Sequence, residues 1–118
     1  MKTKSMLVLL PVVCVALAVA HAAPNYTAAE AAKHVGETAT VTGKIDEVHQ
    51  AARGTIFLNM GGKEPNQAFT ALIPAASAAM FSRPQQFQGR TVAVSGKIAL
   101  SKAKPQIVVN SPSQISAR

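Results

Sequence analysis

Gly36-Glu37-Thr38-Ala39-Thr40-Val41-Thr42-Gly43-Lys44-Ile45 returns, without a gap, as Gly89-Arg90-Thr91-Val92-Ala93-Val94-Ser95-Gly96-Lys97-Ile98. Both copies read G-x-T-x-x-V-[ST]-G-K-I. The alternation is that of a strand with one buried face. In the first copy Ala39, Val41 and Ile45 fall on one side, with Thr40, Thr42 and Lys44 on the other. In the second, Val92, Val94, Ile98 and Leu100 oppose Thr91, Ser95 and Lys97. Each copy carries a glycine in mid-strand, which weakens a strand unless the backbone coils or is closely approached there. Two copies are too few for a solenoid. They read as two similar strands of one small closed sheet, where strands are sharply coiled.

The rest of the chain spaces three more strands around these two. The first strand spans 37–48 and enters the turn His49-Gln50-Ala51-Ala52-Arg53-Gly54. Strands over 55–60 and 68–74 flank Gly61-Gly62-Lys63-Glu64-Pro65-Asn66-Gln67, a loop by composition. The alanine-rich stretch 75–87 has helical composition, with Pro84 stopping or restarting the helix near Ser82. A strand over 90–101, a basic turn Lys102-Ala103-Lys104-Pro105 and a strand over 106–110 follow, and Ile115 in the tail is placed against the sheet. Upstream, Thr27-Ala28-Ala29-Glu30 is a capping box and Gly36 suits the position after a helix, so 24–36 is expected to be a short helix. The order β-β-β-α-β-β is that of a five-stranded Greek-key barrel, the OB-fold. The expected division is a leader over 1–22, a helix and lead-in over 23–36, and the barrel domain over 37–118.

The leader is read from Lys2 and Lys4, the apolar run Met6 to Ala20, and Ala20-His21-Ala22 as a cleavage site. Cleavage predicts a periplasmic or secreted chain with no stable membrane insertion. The one cysteine, Cys14, lies in the leader, so packing alone must hold the mature chain. Loss of Lys2 and Lys4 leaves ten basic residues against five acidic ones, a formal charge of +5. Such a chain suits a polyanionic partner.

Several stretches carry a family resemblance: Val41 to Ile45; Phe57-Leu58-Asn59-Met60-Gly61; Pro65-Asn66-Gln67-Ala68-Phe69-Thr70-Ala71-Leu72-Ile73; Gly89 to Ile98; and Lys104-Pro105-Gln106-Ile107-Val108-Val109 on to Ile115. Together they resemble the small OB-fold domains of exported bacterial proteins, some of which accompany secreted nuclease domains. More loosely, they are similar to the anticodon-binding OB domains of aminoacyl-tRNA synthetases. The resemblance covers about 36–115 and implies nucleic-acid binding. Fold does not fix function, and without an attached nuclease domain no activity carries over.

Catalysis would need a positioned acid, base, nucleophile or metal. The mature chain holds two histidines, one aspartate, four glutamates and no cysteine. Asp46-Glu47 is the one acidic pair, and neighbours on a strand point to opposite faces. His34, read as a surface residue, and His49 lack metal-ligand spacing. The reading is therefore no enzyme, no cofactor and no metal. The expectation is a monomeric binding domain taking single-stranded nucleic acid or oligonucleotides, or another polyanion, weakly and without sequence preference. An envelope protein partner and an oligosaccharide or anionic glycan are the alternatives. OB domains bind on strands two and three and the loops at their rim. That selects Lys44, His49, Arg53, Phe57, Lys63, Asn66, Gln67, Phe69, Lys97, Lys102, Lys104 and Gln106. Whether Phe57 and Phe69 face outward to stack bases or inward to the core is open on periodicity alone. Asn59 is read as a turn-bonding residue.

Overall fold

The twin segments pair with each other. In a computed structural model that describes residues 23–118, β2 (Thr38–Gln50) runs antiparallel to β5 (Thr91–Ser101), Val41 opposite Val94. The leader expected over 1–22, with Cys14, lies outside the described residues. From β2 the pairing passes to β3 (Ile56–Met60), then β4 (Phe69–Ile73), then β6 (Lys104–Val108), and through β6 back to β5. The circuit therefore returns to its first strand. Its contacts are antiparallel except β4 with β6, which is parallel. This is an architecture consistent with an OB-fold-like barrel. Inside lie Val41, Ile45, Leu58, Met60, Phe69, Ile73, Val92, Val94, Ile98 and Ile107, all fully buried.

The sheet has seven strands rather than five. β1 (Asn25–Thr27) lies parallel to β2, and β7 (Ile115–Ala117) lies antiparallel to β5. Ile115 is buried, as its expected tuck against the sheet requires. β1 corrects the N-terminal helix. The Thr27–Glu30 box does form: Thr27 N–H donates to Glu30 Oε1 at 2.8 Å, and Glu30 N–H donates to Thr27 Oγ1 at 3.2 Å. It closes only a turn leading into a three-residue 3₁₀ helix, Ala31–Lys33. A helix this short needs tertiary packing, and its alanines offer little area. Asn25 and Tyr26 instead take the free edge of β2. Tyr26 stacks on His34 with ring centroids 3.7 Å apart, and Glu37 accepts from Tyr26 Oη at 2.6 Å while bonding His34 Nδ1 at 2.8 Å.

The expected helix over 75–87 shrinks to one turn, α1 (Ala75–Ala78), and a 3₁₀ helix restarts at Pro84. No helix among the described residues is long and apolar enough to cross a membrane.

Candidate functional site

Strand parity divides the outer face of β2, β3, β4 and β6 into rows. Cross-strand pairing aligns His49 with Phe57, Phe57 with Leu72, and Leu72 with Val108. One step along the strands, Glu47 aligns with Asn59, Asn59 with Thr70, and Thr70 with Gln106. An aromatic and aliphatic row thus lies beside a carboxylate, amide and hydroxyl row, about 7 Å away. Beyond the polar row stand Lys104 and the loop 61–68. Over part of this face opens a cleft of about 540 Å³, lined by His49, Phe57, Asn59, Thr70, Lys104 and Gln106 among others. His49 and Phe57 lie side by side in it, with ring centroids 5.7 Å apart. Ser101, Lys102 and Lys104 line it as well.

A register shift between Ile45 and Glu47 builds this face. Asp46 is the extra residue of the bulge. Ile45 points inward opposite Met60, and Glu47 points outward opposite Asn59. Both carboxylates then serve the same loop. Asp46 Oδ2 accepts from Gly62 N–H at 2.8 Å, and Glu47 Oε1 accepts from Glu64 N–H at 2.9 Å. The alternation rule fails here because a bulge inserts a residue into the count. The acidic pair is occupied in holding backbone.

Glu47 also orients the floor. Its Oε1 accepts from Asn59 Nδ2 at 2.9 Å. The Glu64 amide first, and the Asn59 amide second, hold its carboxyl below the ordinary glutamate value. An ionised carboxylate only accepts. Asn59 must therefore present its NH₂ to Glu47 and its oxygen to Thr70, whose hydroxyl donates at 2.8 Å. Thr70 Oγ1 in turn accepts from Gln67 Nε2 at 3.4 Å, and Glu64 Oε1 takes a second bond from that nitrogen at 3.0 Å. The chain ends at Gln67 Oε1, a buried oxygen with no partner among the described residues. Lys104 Nζ donates to the Gln67 main-chain oxygen at 2.9 Å, tying the β5–β6 turn to this loop.

Six of the twelve sequence-selected residues line the cleft: His49, Phe57, Gln67, Lys102, Lys104 and Gln106. Arg53, Lys63 and Asn66 are exposed on loops outside its lining. Lys44 and Lys97 stand at opposite ends of the β2–β5 ladder, facing Thr91 and Thr38, about 20 Å apart. Phe69 is a correction. It is fully buried opposite Met60 and stacks nothing. Periodicity missed Asn59 and Thr70. Asn59 is no turn residue but lies within β3, almost fully buried. The signal was present in its inward neighbours, since Leu58 and Met60 inside place Asn59 outside.

No protein-family model and no curated protein matches the chain. Solved structures do. One is OBody AM2EP06 bound to hen egg-white lysozyme, with TM-score 0.57 and 16% identity over 85% of this chain and 96% of that one. OBody AM1L10 bound to hen egg-white lysozyme gives 0.57 and 17%, over 86% and 98%. A putative aspartyl-tRNA synthetase from Leishmania major Friedlin gives 0.55 and 8%, over 90% of this chain and 22% of its own. The fold is OB-like. At these identities the likeness is one of fold. The chain spans about a fifth of the synthetase's length, 22%. The expected likeness to synthetases is thus met at the level of fold, while no family model supports a family of exported bacterial proteins.

Proposed function

We propose that this protein is an exported OB-like binding domain that takes single-stranded nucleic acid or oligonucleotides into the β2–β6 cleft, without catalysis. One observation carries the reading: outward-facing Phe57 and its neighbour His49 line the same cleft as Lys102 and Lys104. Aromatic faces stack any base, and ammonium groups follow the phosphates. The likeness in fold to an aspartyl-tRNA synthetase, which acts on tRNA, supports it. Lys102 and Lys104 in the lining favour phosphate over a neutral sugar. The test is anisotropy of labelled single-stranded oligonucleotides across a salt series, with Phe57→Ala and Lys102→Ala beside the natural chain. Affinity should fall as salt rises, with a log–log slope of about −0.7 for each phosphate neutralised. Both variants should bind more weakly, and Lys102→Ala should also flatten the slope. No affinity at low salt overturns the reading.

A protein partner is the second reading, favoured by two OBodies of like fold that are bound to lysozyme. Capture of one stoichiometric protein, insensitive to nuclease, would select it. Export rests on the leader over 1–22. N-terminal sequencing of the chain recovered from its native host should begin at Ala23.

A further inference from the structure

We infer that a bound strand leaves the cleft past Phe57 and runs on over Leu72 and Val108 to Lys97, so that the whole site spans about six nucleotides. This rests on the oligonucleotide reading above. A cleft of about 540 Å³ is the size that takes one small-molecule ligand. An oligomer must therefore continue over an open face, and charge selects the exit. Asp46, Glu47 and Glu64 gather where β2 meets the loop 61–68, and they repel a phosphate chain there. In the other direction the row Phe57, Leu72 and Val108 crosses β3, β4 and β6 without a carboxylate. One step along the strands, Thr70 on β4, Gln106 on β6 and Ala99 on β5 carry none either. Leu72 is half-buried and Val108 is 36% exposed, so the row stays open beyond the cleft lining.

Lys97 stands at the far end of this row. Ile98 pairs with Ile107 and is fully buried, so Lys97, the residue before it, faces outward beside Val108, the residue after Ile107. Lys97 is exposed and forms no ion pair among the described residues. Glu37 adjoins Thr38, the β2 partner of Lys97, but its carboxylate is taken by Tyr26 Oη and His34 Nδ1. Four strand spacings separate His49 from Lys97, about 19 Å, and a stacked strand advances about 3.4 Å per nucleotide. Apolar side chains along the row carry bases, and the ammonium at its end meets phosphate.

Anisotropy of a labelled oligo-dT series, from trimer to dodecamer at one low salt concentration, measures the site. Affinity should climb steeply to about six nucleotides and then only in proportion to the added registers. On the dodecamer, Lys97→Ala should cost about threefold, and Val108→Ser about threefold. Lys97→Ala should also flatten the salt slope by about 0.7. Lys44→Ala removes the same charge from the other end of the β2–β5 ladder, off the path, and should leave the slope unchanged. All three side chains are exposed, and the circular dichroism melt checks that each variant folds. A break at two or three nucleotides, or none up to the dodecamer, overturns the path and leaves the oligonucleotide reading standing. So does an equal loss from Lys97→Ala and Lys44→Ala, the mark of net charge alone. No binding of the dodecamer at low salt overturns the underlying reading, and the path with it.

Discussion

Alanine at Gly96 should cost far more than alanine at Gly43, although the two glycines hold the same place in the repeated segment. A Cβ at Gly96 would stand 2.6 Å from Ile107 Cγ2, at a φ of +154° that side chains rarely adopt. It would also approach Gln114 Nε2 to 3.2 Å, the group that donates to Ser95 O and Val108 O at 3.0 Å each and clamps the tail across β5 and β6. Ile107 is fully buried between strands and has no room to retreat. Overpacking of this kind costs about 1–3 kcal/mol, and the backbone conformation adds about 1–3 kcal/mol. The sum is about 2–6 kcal/mol, or a fall of about 10–30 °C in Tm for a domain this size. At Gly43 the new Cβ meets Met60 Sδ at 2.9 Å, with no positive φ. A thioether swings aside cheaply, and Gly→Ala recovers about 0.4–1 kcal/mol from the unfolded chain. The net loss there should stay below about 1 kcal/mol. Urea and thermal unfolding of chain 23–118 measure both. Equal losses, or a Gly96→Ala midpoint matching the natural chain, would refute the reasoning.

The two phenylalanines should separate cleanly: Phe69→Ala removes about 3–5 kcal/mol of stability, whereas Phe57→Ala leaves the melt nearly unchanged and weakens oligonucleotide binding. Lys102 and Ala103 form the β5–β6 turn with φ of +52° and +66°. Ala103→Gly should therefore stabilise by about 1 kcal/mol, read as a higher urea midpoint, since glycine is the residue this backbone favours. Acid should destabilise through Glu30, Glu37 and Glu47, whose carboxyls are held below the ordinary 4.5 mainly by donors from Thr27, Tyr26 and Glu64 respectively. Each is lowered on folding, so the unfolded chain takes protons first. Their contribution is whole above 4.5 and fades as pH drops through the folded values, and Glu47→Gln should flatten that part of the urea-midpoint profile.

The repeated segments were legible because each buries one face of a strand for most of its length, so period-two alternation survives. Their glycines were legible as points of close approach, and Ile107 and Met60 supply the approaching groups. The N-terminal stretch was misread because a capping box reports a local turn, not the helix after it. The free edge of β2 outbid a few alanines for Asn25 and Tyr26. Half the selected residues lie outside the cleft lining, and for Arg53, Lys63 and Asn66 the reason is that sequence identifies a loop but not which of its side chains turns toward the neighbouring strands. Lys104 reaches back to the Gln67 carbonyl, whereas Arg53 and Lys63 stay in solvent.

Ile56-Phe57-Leu58 shows why the cleft carries an apolar ring on the outer face of the sheet. Any strand through three consecutive apolar residues leaves at least one outside, and here it is Phe57. One outward phenylalanine alone would be ordinary. This one continues across four strands, from His49 through Leu72 to Val108, and Val108 is 36% exposed. The adjoining row is the reverse case. Asn59 and Thr70 are nearly as buried as the core, on the barrel's outer face, and are held by bonds that run one way to an unmet oxygen. Folding alone would be served better by apolar groups beneath and polar groups above. A face that exposes its apolar row and encloses its polar one is what the proposed stacking of bases on Phe57 would use.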